Sequence, residues 1–123
     1  MKYTLKGIGA TIAALWGSIE LVTQTLLLLM ALDIITGIAA GYYTRSLSSN
    51  QTFRGMAKKT IVLAIVAGAH VLSAAWQSPI PLGTVAAGFY VIHEMLSIME
   101  NAGRVGIPLP RQLVAALEKI QSK

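Results

Sequence analysis

The residues of this chain best suited to chemistry are acidic and imidazole side chains that interrupt apolar stretches. They include Asp33, His70, His93 and Glu94. Carboxylates and imidazoles at suitable spacing bind metal ions or transfer protons. The two histidines do not form an HExxH pattern, no third ligand follows at a useful spacing, and cysteine is absent. We therefore predict no metal site and no cofactor.

Nucleophilic catalysis is also disfavoured by the sequence. Serine, histidine and aspartate are all present, but no Gly-x-Ser-x-Gly element or comparable context surrounds a serine. We therefore predict no catalytic residues and expect that the protein is not an enzyme.

The composition indicates an integral membrane protein. Of 123 residues, 54% are hydrophobic and 12% are charged, and the apolar residues are gathered into long runs. Runs of about 20 apolar residues have the length needed to cross a bilayer as a helix. This pattern excludes a disordered chain and a typical water-soluble domain. The net charge of +5 lacks an accompanying aromatic and basic motif, so nucleic acid is not an expected partner.

Helical periodicity and the apolar runs predict a single all-α membrane domain over residues 1–123. Apolar residues spaced three and four apart favour an amphipathic helix at 1–20 and another at 111–121. Membrane helices are predicted at 21–43, 60–76 and 84–99. The first stretch also has features of a signal peptide, but no small-x-small cleavage site precedes Glu20. Whether the N-terminal helix and the third apolar run cross the membrane stays open at this point.

A polar segment rich in Ser, Asn and Gly separates the first two runs and predicts a loop from Thr44 to Lys59. This loop carries Arg45, Arg54, Lys58 and Lys59 and no acidic residue. Basic loops near membrane spans are retained on the cytoplasmic side. We therefore expect this loop and the basic C-terminal tail inside the cell, with the N terminus outside.

Asp33 lies within the clearest apolar run, where a charge at bilayer depth costs at least about 2.5–3.5 kcal/mol. One interpretation places Asp33, with Thr36, against a protein interface or a water-filled space. The other has Asp33 protonated, or paired with Arg45 or Lys59. We interpret the polar residues of the apolar runs together as a seam that assembly hides from lipid and that can line a hole: Gln24, Asp33, Thr36, His70, Ser73, His93, Glu94 and Ser97.

Small residues recur at a spacing that lets membrane helices approach closely. Gly37 and Gly41 are four residues apart, and Ala64 with Gly68 repeats the spacing in the second run. We predict that Gly37, Gly41 and Gly68 pack helices together, including helices of neighbouring copies in a homo-oligomer.

Two ordered blocks of the sequence resemble one known family. The segment LDIITGIAAGYYTRSLSSNQTFRGMAKKT, followed downstream by FYVIHEMLSIMENAGRVGIPLP, is similar to the signature of the toxin-secretion and phage-lysis holins. In the first block, the Asp-x-x-Thr-Gly element corresponds to Asp33, Thr36 and Gly37, and a basic segment with Arg-Gly and Lys-Lys follows. The second block matches at Glu94 and at a Gly-x-Pro-x-Pro linker. Together the blocks cover residues 32–110.

The resemblance implies a bacteriophage protein that accumulates in the cytoplasmic membrane of a bacterial host as a multi-pass protein. It implies assembly with further copies of itself into holes that release an endolysin or a toxin, without a need to bind the endolysin. The apolar runs and polar seam alone are also compatible with a small oligomeric ion or solute channel or transporter, and the hydropathy with a non-catalytic membrane adaptor.

Overall fold

The computed structural model describes residues 4–121, which form five helices and no strand. The helices are α1 (Leu5–Gly17), α2 (Leu21–Tyr43), α3 (Ser49–Ala75), α4 (Leu82–Arg104) and α5 (Arg111–Gln121). Short connections make α2, α3 and α4 successive antiparallel neighbours in a bundle, as expected for brief helix-to-helix turns. The fold is therefore all-α, as the sequence predicted.

The three long helices end in the same hydrogen-bonded motif, which explains where each one stops. After α2, the backbone N–H of Ser46 donates to the Gly41 carbonyl and Arg45 has a positive φ of 56°. After α3, Gln77 has a φ of 47° and Ser78 closes the same bond to Ser73. These are Schellman endings, which satisfy carbonyl groups left free by the last turn. The third ending, after α4, uses Gly106.

Helix α4 is the centre of the bundle. Helix α2 packs along α4 most extensively, α3 packs on α4 less extensively, and α2 and α3 share the smallest contact of the three. Leu26 and Met30 of α2, Val66 of α3 and Ala87 of α4 form the buried apolar cluster between them. Helices α2 and α3 therefore pack mainly against α4 and have little contact with each other.

Helices α2, α3 and α4 are each long and apolar enough to cross a membrane. Their outward faces carry large exposed apolar side chains, such as Ile35 on α2, Ile61 on α3 and Phe89 on α4. An exposed apolar surface of this extent is unfavourable in water and suits lipid. The chain is a membrane protein, and the third apolar run belongs to a helix of spanning length.

The predicted loop from 44 to 59 is wrong in most of its length, because α3 begins at Ser49. The Ser48 hydroxyl accepts a hydrogen bond from the Gln51 N–H and caps this helix. Serine followed three residues later by glutamine is a helix-start pattern, and we had interpreted its polar residues as a turn. As a result, Arg54, Lys58 and Lys59 lie on a helix, and only Arg45 lies in the connection.

The other predicted boundaries differ by smaller amounts. The third membrane helix, predicted at 84–99, extends from Leu82 to Arg104, because no proline interrupts it before Pro108. At the N terminus, α1 is shorter than the predicted 1–20 helix, and residues 1–3 lie outside the described range. None of the α1 side chains is buried. Helix α1 thus keeps its apolar stripe exposed, and a hydrogen bond from the Gln24 amide to the Trp16 carbonyl joins its end to α2.

Candidate functional site

A cluster of three charged side chains lies between α2, α3 and α4, and we call it the central cluster: Asp33, Lys59 and Glu94. The Lys59 ammonium group donates to Asp33 Oδ2 at 2.6 Å and to Glu94 Oε2 and Oε1 at 2.8 and 3.0 Å. The Lys59 side chain is only 16% exposed, that of Asp33 9% and that of Glu94 11%. One residue from each long helix therefore meets the others in the interior.

Asn101 and Thr36 extend the central cluster towards the C-terminal end of α4. The Asn101 side-chain amide donates to Asp33 Oδ1 at 3.0 Å and to the Thr36 hydroxyl at 2.9 Å. The Thr36 hydroxyl in turn donates to the Leu32 carbonyl on its own helix. Both carboxylate oxygens of Asp33 thus have a donor.

The central cluster lies at one level in the bundle, near the middle of the spans. Asp33, Lys59 and Glu94 are each ten residues from one end of their helix, namely Tyr43, Ser49 and Arg104. At the helical rise this is about 15 Å, half the thickness of a bilayer core. Charges at such depth are costly unless they are paired inside the protein, and the structure pairs all three.

The polar groups at this depth are satisfied within one chain. No buried side-chain nitrogen or oxygen of residues 4–121 lacks a hydrogen-bond partner. Of the two interpretations of Asp33, the structure shows pairing, with Lys59 and not with Arg45. Asp33, Thr36 and Glu94 of the seam are therefore paired within one chain, whereas His93 of the seam stays exposed.

The three predicted packing glycines have different surroundings. A Cβ on Gly41 would lie 3.2–3.3 Å from Leu47, and one on Gly37 would lie 3.5 Å from the Asn101 amide. Both glycines are thus in contact with residues of their own chain. Gly68 has nothing within 4 Å of a built Cβ and faces outward on α3. Among these three, Gly68 is the residue left available for contact with another copy.

His70 belongs to a second polar group near the other end of the bundle, with Glu20, Thr23 and Thr84. Thr84 donates to Glu20 Oε2 at 2.6 Å, Thr23 donates to Oε1 at 2.9 Å, and His70 Nε2 lies 3.3 Å from Oε1. The Thr84 hydrogen bond is the main cause that keeps the pKa of Glu20 below its usual value, against partial burial. This group ties the start of α2 to α3 and α4.

Gly83 allows α3 and α4 to approach closely at this end. The imidazole of His70 lies where a Cβ on Gly83 would have to be placed. We predict that Gly83→Ala destabilises the bundle by about 1–3 kcal/mol, as overpacking does. Unfolding in mixed detergent micelles, followed by circular dichroism, measures this. Gly88→Ala, at a helical position with open space, is the matched control, and equal stability of both variants would contradict the close contact.

The remaining candidates lie on the surface. His93 is exposed and stacks on Phe89, with ring centroids 4.6 Å apart, outside the central cluster. Arg54 and Lys58 are exposed on α3, and Arg45 is exposed after α2. Of the four basic residues predicted in one loop, only Lys59 enters the interior. In the part of the chain that is described, no group of three His, Asp or Glu side chains is placed to hold a metal ion.

Sequence reasoning did not find Asn101, placed Lys59 in the wrong element and did not predict the contact of Gly83. Asn101 is not among the predicted site residues, although its position seven residues after Glu94 puts both on one face of a helix. Lys59 is one of the two predicted partners of Asp33, but the prediction places it in a loop, whereas its spacing from Val62, Leu63 and Val66 places it on the inner face of α3. The close contact of Gly83 with His70 is not predicted by the sequence analysis. Helical periodicity extended through the polar residues would have found the first two.

Comparison with known proteins gives one family and several bacterial relatives. Residues 10–122 match the bacteriophage holin family. An uncharacterized 14.9 kDa protein of Clostridium perfringens, encoded 3′ of nagH, is 30% identical over 100% of this chain and 94% of its own length. An uncharacterized protein of Listeria monocytogenes is 33% identical over 92% of this chain and 81% of its own. A probable holin of Bacillus phage phi105 is 27% identical over 89% and 81%, respectively. No solved structure matches the chain.

Proposed function

The chain belongs to the bacteriophage holin family, and from this premise we propose that it accumulates in the cytoplasmic membrane of a bacterial host and assembles there into holes. The holes depolarise the membrane and let an endolysin, or a toxin, leave the cytoplasm. Partners in this function are the lipid bilayer and further copies of the chain. The endolysin does not have to bind the protein directly in order to pass.

The burial of the central cluster is the observation that best supports this proposal. A holin has to be harmless while it accumulates, and a chain with unpaired charges facing lipid would perturb the bilayer. Here Lys59 lies between two carboxylates, and all three charges of the central cluster are removed from lipid. The closed bundle therefore hides these three charges from lipid within a single chain.

A hole that passes a folded protein needs a wall that water can wet. At mid-depth, the outward faces of α2 and α3 offer residues such as Leu32, Ile35 and Ile61. The hydrophilic groups held inside the bundle near this depth are those of the central cluster and, about 10 Å towards the end of α4, Asn101. We infer that α3 moves away from α2 when the hole forms, so that these groups turn towards water.

The seam between α2 and α3 is the part of the bundle best suited to open. These two helices share the smallest contact of the three pairs. A crevice of about 120 Å³ beside the central cluster is lined by Ile34, Ile38, Thr52, Gly55 and Met56, in addition to Asp33 and Lys59. Nearer Glu20, a groove of about 560 Å³ separates the same helices beside Leu27 and Leu63. Loose packing on both sides of the cluster lowers the cost of separating α3 from α2.

The distribution of basic residues supports one orientation. Arg45 and Arg104 lie at the bundle end formed by the end of α2, the start of α3 and the end of α4. Glu20 is at the opposite end. Because basic residues near spans stay on the cytoplasmic side, we propose that the Arg45 end faces the cytoplasm and the Glu20 end faces outward.

Induction in bacteria that also contain a cytoplasmic muralytic enzyme tests the function. We expect membrane potential and optical density to stay normal while the protein accumulates, and then to fall together abruptly. Lysis should depend on both proteins, because depolarisation alone does not degrade the cell wall. Cells with the muralytic enzyme alone are the control.

Two results would overturn the proposal. Full accumulation with an intact membrane potential would point to an adaptor without pore activity. A saturable, solute-selective flux that leaves the muralytic enzyme inside the cell would point to a small channel or transporter.

A further inference from the structure

Two oppositely charged residues on the outer surface lie at the same level of the bundle. Arg54 on α3 and Glu100 on α4 are both exposed. Among residues 4–121, neither side chain forms an ion pair or a hydrogen bond, so Arg54 and Glu100 are not paired with each other within one chain. Lys59 and Glu94 are in contact and so define a common level. Measured from it along each helix, Arg54 lies about 7.5 Å and Glu100 about 9 Å towards the Arg45 end.

These levels lie inside the span of α2. Tyr43, at the end of α2, is about 15 Å from the central cluster, so Arg54 and Glu100 are both well short of the membrane surface. An exposed charge at this depth is costly unless it finds a partner. Within one chain the two residues are on different helices and face outward, away from the central cluster. Arg54 and Glu100 can therefore each form an ion pair with a residue of another copy.

The apolar residues of the same two faces match in level as well. On α3, Ile65 and Gly68 continue the outward face that begins with Arg54, and on α4 Phe89 and Val85 continue the face of Glu100. Ile65 and Phe89 lie about 9 and 7.5 Å towards the Glu20 end, and Gly68 and Val85 both lie about 13.5 Å towards it. Gly68 leaves open space beside the larger side chain at its own level.

We propose that the outer face of α3 in one copy binds the outer face of α4 in the next copy, with Arg54 of one chain paired to Glu100 of its neighbour. The two faces differ, so the contact is heterologous: each chain offers α3 on one side and α4 on the other. Contacts of this kind continue from copy to copy and close into a ring if the rotation permits. The proposal rests on the proposed function, because it specifies how the copies of a holin meet.

Cysteine crosslinking in the absence of native cysteines tests this contact. The double variant Ile65→Cys/Phe89→Cys retains the charges of Arg54 and Glu100, and its two thiols lie at matched levels. A membrane-permeant oxidant should give a ladder of dimers, trimers and higher species, whereas each single variant should remain largely monomeric. Ile61→Cys/Val85→Cys is the matched control on the same faces, with levels about 10 Å apart, and should give no ladder.

Charge reversal then tests the ion pair in the same background. Arg54→Glu should reduce the crosslinked fraction severalfold, and adding Glu100→Arg should restore it. A dimer from Ile65→Cys alone would show a symmetric contact between α3 helices and would overturn the proposal. Absence of a ladder at full expression would also overturn the proposal. It would indicate that lipid headgroups, and not a neighbouring chain, neutralise Arg54. The crosslinked species are measured independently of lysis. Lysis without a ladder would contradict only the proposed contact, and a ladder without depolarisation would contradict only the proposed function.

Discussion

Replacement of Lys59 with methionine is expected to destabilise the bundle by about 3–5 kcal/mol, the typical cost of removing one partner from a buried ion pair. The ammonium group is the only donor that Glu94 has in the described hydrogen bonds, and it also binds Asp33 at 2.6 Å. Without it, two carboxylates face each other away from water. Unfolding of the purified protein in mixed detergent micelles measures the loss.

Lys58→Met is the matched control for this variant. Lys58 is the preceding residue on the same helix but is exposed, so its loss should cost less than about 1 kcal/mol. A second comparison is Lys59→Met combined with Asp33→Asn and Glu94→Gln, which removes both orphaned charges and should recover much of the stability. Equal stability of Lys59→Met and Lys58→Met would contradict a structural role for the central cluster.

The membrane class and the number of long helices could be predicted because they depend on local composition. The run from Leu21 to Tyr43 is almost wholly apolar and ends in an aromatic pair, so its limits are visible without tertiary information. The pattern of Arg111–Gln121 is equally local. Features that one segment determines by itself are accessible from the sequence.

The start of α3 could not be predicted from hydropathy, because the first residues of this helix are polar. Between Ser49 and Lys59 the helix is polar, so a hydropathy argument assigns this segment to a loop. The same residues form a helix because Ser48 caps it and because Lys59 is fixed by Asp33 and Glu94. A pairing between residues 26 and 35 positions apart cannot be found from the spacing within either helix.

The functions of the glycines could not be separated by spacing alone. Gly37 and Gly41 have the same separation as Ala64 and Gly68, and any of them fits a helix-packing motif. Only the arrangement of α4 and of the connection after α2 shows that Gly41 meets Leu47 of its own chain and that Gly68 meets nothing. Polar residues in apolar runs likewise indicated that charges must be hidden, but not that one chain hides them.

A tether between α2 and α3 at the Glu20 end is expected to abolish hole formation. Thr23 and His70 are in contact there, with Oγ1 and Nε2 3.2 Å apart. At the Arg45 end the two helices are already joined by the short connection before Ser49. Crosslinking Thr23→Cys to His70→Cys with a short, reducible bis-methanethiosulfonate reagent would therefore fix both ends, and α3 could not leave α2. Ala67→Cys/Val71→Cys, one turn apart on the exposed surface of α3, takes up the same reagent without joining helices.

Membrane potential in cells that carry the tethered chain tests most directly whether the bundle has to open. With the crosslink in place, we expect the protein to accumulate to normal levels while the potential persists, and a reductant should then collapse it within the time of normal triggering. The chain with Ala67→Cys/Val71→Cys should depolarise the membrane whether or not it is crosslinked. Depolarisation on the usual schedule by fully crosslinked Thr23→Cys/His70→Cys chains would show that holes form from closed bundles, and would contradict the account.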